Sequence, residues 1–192
     1  DTVNVRAGGL GNSGIIAAAN GLTVQAGNKG VVNLEGTLQA GTGLAIDSLG
    51  DVKNQSGTVR AGQVSIRSQG DIVNKSWSEQ VVTEWDHGTH RRTEHGDAGV
   101  IQAAGTVALD AGRHIVVTGS RVQGDAVGLN AGGDVRIESQ IVERGFDGYA
   151  NGGRYQTQTI EQIASQVDAT SDLLISAGGN IIRLPVVTGG II

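Results

Sequence analysis

The chain has 192 residues, 32 glycines, one proline, no cysteine and a formal net charge of −5. A single proline excludes collagen and polyproline structures, and the lack of cysteine excludes disulfides and thiolate metal sites. A net negative charge without a basic stripe argues against nucleic acid as a partner. No run approaches eighteen apolar residues, so no membrane-spanning helix is expected. Aromatic residues make up 3% of the chain, so Val, Ile, Leu and Ala must fill its core.

The first predicted element is a pair of apolar residues two positions apart, which recurs along the chain about every 20 residues. The copies are Val3/Val5, Leu22/Val24, Leu44/Ile46, Val64/Ile66, Val107/Leu109, Val127/Leu129 and Leu173/Ile175. Two of the intervals carry roughly 23 to 26 additional residues. Because such a unit cannot bury its apolar residues alone, the pattern predicts copies that stack on one another.

Two further apolar segments follow within each unit, after a small residue and a glycine. The second segment is marked by Val52, Ile72, Ile115, Val135 and Ile181, and the third by Ile16, Leu38, Val59, Ile101 and Val122. Alternation of apolar and polar residues is typical of strands, and Gly, Asp and Asn between them indicate tight turns. Three strands and three turns per unit predict one rung of an all-β parallel β-helix, with rungs about 4.8 Å apart. A globular β-sandwich is the alternative, but it requires no register held over many units.

Polar residues also recur at fixed positions of the unit. Asn33, Asn54 and Asn74 form a column that could stack as a ladder of side-chain amides. Asp51, Asp71, Asp134 and Asn180 form a second column, which is interpreted as a column of turn residues. The GGD sequences there do not complete the calcium-binding nonapeptide pattern, so no calcium is expected.

The additional residues lie at about 75–97 and 140–168, and both segments are predicted to project from the rod as β-hairpins. In the second, an Asn151-Gly152 turn would pair Tyr149 with Arg154. In the first, a His87-Gly88 turn would pair Trp85 with His90 and Glu84 with Arg91. These two segments contain all five aromatic residues of the chain and three of its four histidines.

The insertions therefore hold the candidate binding residues. These are Trp77, Trp85, His90, Arg91, Arg92, Phe146, Tyr149, Arg154 and Tyr155. One interpretation is structural, in which the aromatic side chains cover a face of the rod. The other is recognition of a surface receptor or glycan, because aromatic residues and Arg concentrate at binding hot spots and planar rings suit sugar faces.

Metal and catalytic sites are not favoured by the sequence. His87, His90 and His95 invite a zinc interpretation, but His90 and His95 are an odd number of positions apart on one strand and should point to opposite faces. A polysaccharide lyase is the rival enzymatic class, since lyases share the fold. A lyase needs convergent acidic and basic residues, and Asp47 and Asp110 stand isolated in the sequence. No catalytic residue, metal or cofactor is therefore expected.

The repeat resembles the haemagglutinin repeats of large secreted exoproteins of Gram-negative bacteria, a family that includes filamentous haemagglutinin and the contact-dependent growth-inhibition effectors. The matching sequences are GLTVQAGNKGVVNLEGTLQAGTGLAIDSLGDVKNQSGTVRAGQVSIRSQGDIVN and TVALDAGRHIVVTGSRVQGDAVGLNAGGDVRIES. The resemblance implies a right-handed parallel β-helix, export by an outer-membrane secretion partner and display at the cell surface. It also implies a role as an adhesin or as the stalk of a toxin-carrying effector, with a receptor or glycan on host or bacterial cells as the partner. Since the sequence starts and stops within the repeat, residues 1–192 are expected to be one segment of a longer chain.

Overall fold

The computed structural model describes residues 1–150 and 152–183 and shows a rod of stacked rungs with three faces. The first face contains β1 (Val3–Ala7), β4 (Gly21–Ala26), β7 (Gly43–Ser48), β10 (Gln63–Ser68) and β15 (Thr106–Ala111). The second face contains β2 (Leu10–Asn12), β5 (Val31–Leu34), β8 (Val52–Gln55), β11 (Ile72–Lys75), β16 (Ile115–Thr118), β18 (Val135–Glu138) and β22 (Ile181–Arg183). The third face contains β3 (Ile15–Ala18), β6 (Thr37–Ala40), β9 (Thr58–Ala61) and β14 (Val100–Ala103). Two long strands, β17 (Arg121–Ala131) and β21 (Gln166–Ala177), run from the third face of one rung into the first face of the next.

Neighbouring strands in the rod are parallel and in register, apart from one shift between Gly124 and Ala126 in the pairing of β17 with β21. This register confirms the alignment of the repeat. On the first face Leu22 pairs with Leu44, which pairs in turn with Val64. The second and third segments align in the same way, with Val52 beside Ile72 and Leu38 beside Val59. The predicted all-β parallel β-helix is thus the observed fold, and seven successive rungs can be followed through the described residues.

The core is a narrow strip of aliphatic side chains inside the rod. Leu22, Val24, Leu44, Ile46, Val64, Ile66, Val107, Leu109, Val127 and Leu129 are all at most 2% exposed. Leu173 and Ile175 take the predicted position of the repeat, paired with Val127 and Leu129, but Leu173 is 49% exposed and Ile175 is only partly buried. Both lie on the seventh rung, where β17 covers one side and no strand among the described residues covers the other. A core position in this fold needs a rung on each side.

A ladder of asparagine amides runs inside the corner between the second and third faces. Asn12 donates to Asn33 at 2.7 Å, Asn33 donates to Asn54 at 2.8 Å, and Asn54 donates to Asn74 at 2.8 Å. All four side chains are buried. The ladder predicted from the last three is confirmed, and it starts one rung earlier than expected. On the next rung Val117 takes the position beside Asn74, so the ladder ends where the first insertion leaves the rod.

The column of turn residues joins successive rungs through side chain to backbone hydrogen bonds. A carboxylate oxygen of Asp51 accepts from the Asp71 amide at 3.0 Å, and Asp71 accepts from the His114 amide at 3.1 Å. His114 Nδ1 then accepts from the Asp134 amide at 2.9 Å, and Asp134 accepts from the Asn180 amide at 2.9 Å. The turn interpretation is confirmed, and the mechanism is a bond from each turn to the rung beside it.

The additional residues form two antiparallel hairpins that leave the rod at the same corner. The first pairs β12 (Ser78–Trp85) with β13 (Gly88–His95), and the second pairs β19 (Gln140–Ala150) with β20 (Gly153–Ile163). They do not project separately, because β13 also pairs with β19. The result is one four-stranded antiparallel sheet in the order β12-β13-β19-β20, called here the hairpin sheet.

The predicted register of the first hairpin was wrong. Trp85 pairs with Gly88 and Glu84 with Thr89, so the two residues between the strands are Asp86 and His87. The glycine serves close packing instead of the turn. A Cβ on Gly88 would lie 2.6 Å from the Asp147 carbonyl oxygen of the neighbouring strand. In the second hairpin the predicted pairing of Tyr149 with Arg154 is confirmed; Asn151, the first residue of its predicted turn, lies outside the described residues.

Candidate functional site

The hairpin sheet is the candidate site, because it brings together eight of the nine candidate binding residues. Directly opposite residues on antiparallel strands share a face, and alternate residues of one strand share that face too. One row across the four strands is Trp85, Gly88, Gly148 and Tyr155. The next row on the same face is Thr83, His90, Phe146 and Thr157, and the third is Val81, Arg92, Arg144 and Thr159. These three rows are called the aromatic face.

Two ring pairs define the aromatic face. Trp85 and His90 have ring centroids 6.5 Å apart, and Phe146 and Tyr155 have centroids 6.2 Å apart. Both distances lie in the range of favourable aromatic contacts. Trp85 is 59% exposed and Tyr155 is 55% exposed. These two rings therefore do not cover the rod, as the structural interpretation expected, but present large apolar surfaces to solvent.

Near the tip of the hairpin sheet, the two middle strands carry glycine on the aromatic face, so these positions add no side chain between the two ring pairs. Gly88 and Gly148 lie side by side in the tip row, between Trp85 and Tyr155. A Cβ on Gly148 would lie 2.7 Å from Cζ of Phe146, so the ring of Phe146 lies over the glycine backbone. Strands about 4.8 Å apart place Trp85 and Tyr155 about 14 Å from each other across the sheet. Trp85 and Tyr155 therefore lie at the two edges of the tip row, with the Phe146 ring over the glycine between them.

Arginine supplies the charge of the aromatic face. Arg92 and Arg144 face each other in the third row, and both are exposed. Arg92 forms an ion pair with Glu94, which lies further towards the rod. The three rows contain no acidic residue, although the chain as a whole carries a net charge of −5. Arg144, which was not among the sequence candidates, was missed because nothing in the sequence placed it beside Arg92.

The opposite side, called the polar face, carries Arg91, Tyr149 and Arg154 of the candidate set. Arg154 forms an ion pair with Asp147 at 2.9 Å, and this hydrogen bond holds the pKa of the Asp147 carboxyl below its ordinary value. Because Gly145 has no side chain, the face contains a hollow of about 240 Å³. Its polar lining includes Thr89, Arg91, Glu143, Asp147, Gln156 and Gln158. The candidates are thus divided between two faces, which the sequence did not reveal.

Trp77, the ninth candidate, lies apart from the others at the base of the first hairpin. It is partly buried, and its backbone amide donates to the Ser56 hydroxyl of the preceding rung at 2.8 Å. Its position marks the attachment of the hairpin to the rod.

The histidines of the first hairpin do not converge. His90 faces the aromatic side, whereas His95 pairs with Ser78 and points to the other side of the sheet. Over the described parts of the chain, 1–150 and 152–183, no group of three His, Cys, Asp or Glu side chains is arranged to hold a metal ion.

The acidic residues weighed for a lyase are less isolated than the sequence indicated. Asp47 and Asp110 lie on either side of Arg67 in one outward-facing column of the first face. The column borders a surface hollow of about 630 Å³ beside Leu49. Asp110 accepts a hydrogen bond from Asn130 at 2.9 Å. The stacking of rungs brings these three residues together on the outer face of the rod, which the sequence did not reveal.

Comparison with protein families gives two matches, both to haemagglutinin repeats. One haemagglutinin-repeat model matches residues 1–76, and a second matches residues 80–143. The chain is a haemagglutinin-repeat region. The second match begins within β12 and ends within β19, so it runs from one hairpin of the repeat region to the next. No solved structure matches the chain.

Curated relatives of this haemagglutinin-repeat region are much longer proteins. The tRNA nuclease CdiA of Escherichia coli O6:K15:H31 is 30% identical over 154 residues, which cover 74% of this chain and 5% of the relative. The 16S rRNA endonuclease CdiA of Enterobacter cloacae subsp. cloacae is 34% identical over 125 residues, or 64% of this chain and 4% of the relative. A tRNA nuclease CdiA of Yersinia mollaretii is 29% identical over 153 residues, which cover 70% of this chain and 5% of the relative.

The haemagglutinin-repeat region thus spans about one twentieth of the relatives it matches. Such repeats belong to secreted proteins displayed at the bacterial surface, which confirms the predicted localisation. The matched family is a structural repeat, and the segment is a piece of a filament stalk. In the described residues, none of the elements is a helix long and apolar enough to span a bilayer.

Proposed function

We propose that this segment is an adhesive part of the stalk, in which the rod provides reach and the aromatic face of the hairpin sheet contacts a cell surface. The observation that carries the proposal is the position of Trp85 and Tyr155, which are more than half exposed on one face of a sheet held away from the core. Exposed aromatic side chains stabilise nothing in the rod, and aromatic residues together with Arg are enriched at binding hot spots. Residues 1–192 then act as one rod segment, with insertions at 75–97 and 140–168.

The ligand that fits this face is a glycan or glycosylated receptor on a host or bacterial cell. Sugar rings stack on flat aromatic side chains, and Trp85 and Tyr155 present exposed rings at the two edges of this face. Arg92 and Arg144 add hydrogen-bond donors and positive charge beside the rings. The segment is proposed to act without catalysis, metal or cofactor, and its parent chain to be exported by an outer-membrane partner.

Point variants test this assignment. A fragment with Trp85→Ala and Tyr155→Ala should lose at least 10-fold of its affinity for cells, since each hot-spot aromatic contributes about 1–2 kcal/mol. The matched control is Tyr149→Ala, which removes a ring that is 68% exposed but lies on the polar face. Equal binding by the double variant and the control would contradict the assignment.

A second candidate function is the stalk of a toxin-delivering effector, and the relatives favour it. Each of the three described above is named as a nuclease of the CdiA type. In that case the rod presents a distant toxic domain to a neighbouring bacterium, and the nuclease activity belongs to parts of the relatives that this chain does not cover. Binding to Gram-negative bacteria in preference to epithelial cells would favour this second candidate over a host adhesin.

A further inference from the structure

We propose that the outer edge of β20 pairs with the first strand of a third hairpin. This third hairpin would be inserted in the rod two rungs after the second hairpin. In the sheet order, β20 is a terminal strand, and residues 153–160 are all exposed. β13 is the corresponding second strand of the first hairpin, and there β19 docks on the same kind of edge. The occupant we assign to β20 is therefore another strand of the β19 type.

The positions of the two hairpins on the rod give the first argument. Both leave the corner between the second and third faces, the first between β11 and β14 and the second between β18 and β21. The rung between them passes this corner through a short turn from β16 to β17 without an insertion. The two hairpins therefore emerge two rungs apart.

The width of a hairpin matches this spacing. Neighbouring strands lie about 4.8 Å apart, so the two strands of one hairpin occupy about 9.6 Å of sheet. Two rungs of the rod span the same distance, about 9.6 Å, for the same reason. A hairpin on every second rung thus extends the hairpin sheet beside the rod without a gap or a clash. A hairpin on every rung would need twice the available width.

The short turn between β16 and β17 packs against the base of the second hairpin. Gly119 has a φ of +56°, and a Cβ on it would lie 2.5 Å from Cβ of Gln140, at the base of the second hairpin. The Ser165 hydroxyl, where the second hairpin returns to the rod, donates to the Val117 carbonyl at 3.1 Å. The uninserted rung is therefore packed tightly against the base of the second hairpin. One hairpin thus occupies the corner beside two rungs.

The edge of β20 is also suited to pairing. Its residues 153–160 read GRYQTQTI, which contains no proline, and its pairing with β19 shows no bulge. Proline, bulges and clustered charge are the usual means of blocking an edge strand, and Arg154 is the one charged residue in this stretch. The family match from β12 to β19 agrees with a unit that repeats from hairpin to hairpin.

Disulfide trapping in an extended chain tests the proposal, because the natural sequence has no cysteine. Residues 100–165 are duplicated in tandem after Ser165, which adds two rungs and a third hairpin. By analogy with His90 beside Phe146, Thr157 of the original hairpin should face Phe146 of the duplicated one. Thr157→Cys combined with Phe146→Cys in the duplicate should cross-link under mild oxidation. His90→Cys with Phe146→Cys in the unextended chain gives the reference rate.

The matched control replaces Asp147 of the duplicate by cysteine instead, which moves the thiol to the other face. We expect cross-linking within about 3-fold of the reference rate for the Phe146 position and at least 10-fold slower for the Asp147 position. Equal rates at the two positions, or none at either in a folded chain, would overturn the proposal. Should the extended chain fail to fold, a peptide of residues 140–149 with Phe146→Cys is offered to the Thr157→Cys chain. Failure of that peptide to cross-link faster than its Asp147→Cys counterpart would equally overturn it.

Discussion

The rod and the hairpin sheet are made of the same kind of element but use it differently. Rod strands are parallel, and those of the inner rungs bury one row of side chains so completely that Val24, Val107 and Ile115 are inaccessible to solvent. Strands of the hairpin sheet are antiparallel, and almost all of β20 is exposed. Burial in the rod stabilises the fold, whereas exposure in the sheet leaves side chains available for contact. The difference separates structural residues from candidate functional residues within one short chain.

Core truncation should produce the largest effect. Leu109→Ala removes a side chain that is 1% exposed in the middle of the rod, and we expect unfolding free energy to fall by about 3 kcal/mol. Ile160→Ala removes a side chain that is 57% exposed in β20 and should cost less than about 0.5 kcal/mol. Urea denaturation followed by circular dichroism measures both. Similar costs would abolish the distinction between rod and sheet.

The asparagine ladder should give the next largest effect. Asn54→Ala removes one donor and one acceptor from the ladder, so the buried Asn74 Oδ1 loses the bond it accepts from the Asn54 amide and Asn33 loses its acceptor in the ladder. Because buried groups without partners cost about 1–3 kcal/mol each, we expect a loss of about 2–3 kcal/mol. Asn130→Ala, which breaks an exposed bond to Asp110, is the control and should cost less than about 0.5 kcal/mol. A small loss for Asn54→Ala would show that the ladder does not hold the rungs together.

A change between the two hairpins should affect the sheet and spare the rod. A Cβ on Gly88 would meet backbone atoms of β19, so Gly88→Ala should push the hairpins apart and weaken their pairing by about 1–2 kcal/mol. Hydrogen exchange should accelerate in β13 and β19 while the rod strands stay protected. Gly153→Ala, where the structure leaves open space, is the control and should change neither. Loss of protection throughout the rod would contradict the independence of the two parts.

Acidification should give the smallest effect, at the turn column. The bond from the Asp71 amide lowers the pKa of Asp51 below 3.8, and Lys53 and Arg113 act in the same direction against partial burial. A lowered pKa in the folded state stabilises the fold above the ordinary value and loses that contribution as the pH falls through the lower value. Melting temperature should therefore decline below about pH 4, and Asp51→Asn should flatten this decline. An unchanged profile in the variant would exclude Asp51 as a contributor.

The rod could be predicted from the sequence because its information is periodic. Apolar residues at matching positions define the strands, and the spacing of the asparagines in the sequence predicted the column that their hydrogen bonds confirm. The sequence did not assign His114 to the turn column because it is neither Asp nor Asn, although its ring nitrogen accepts the same kind of hydrogen bond. The repeat thus specified backbone positions better than it specified the chemistry at each one.

The hairpin sheet was only partly predictable, because its key contacts join segments distant in the sequence. Two hairpins could be expected, but the pairing of β13 with β19 depends on the uninserted rung between them. That pairing explains why Gly88 lies in a strand and why the turn falls at Asp86 and His87. It also decides which rings share a face, and therefore which residues form the candidate site.

The most direct measurement compares binding of two labelled fragments to epithelial cells and to Gram-negative bacteria. One fragment is the intact chain, and the other has residues 78–96 and 142–163 each replaced by a short Gly-Ser link. Retained rod structure in the second fragment is checked by circular dichroism and thermal unfolding. Our account predicts that the intact chain binds and that the fragment without hairpins does not. Equal binding by both fragments would place recognition on the rod and contradict the assignment of contact to the hairpin sheet.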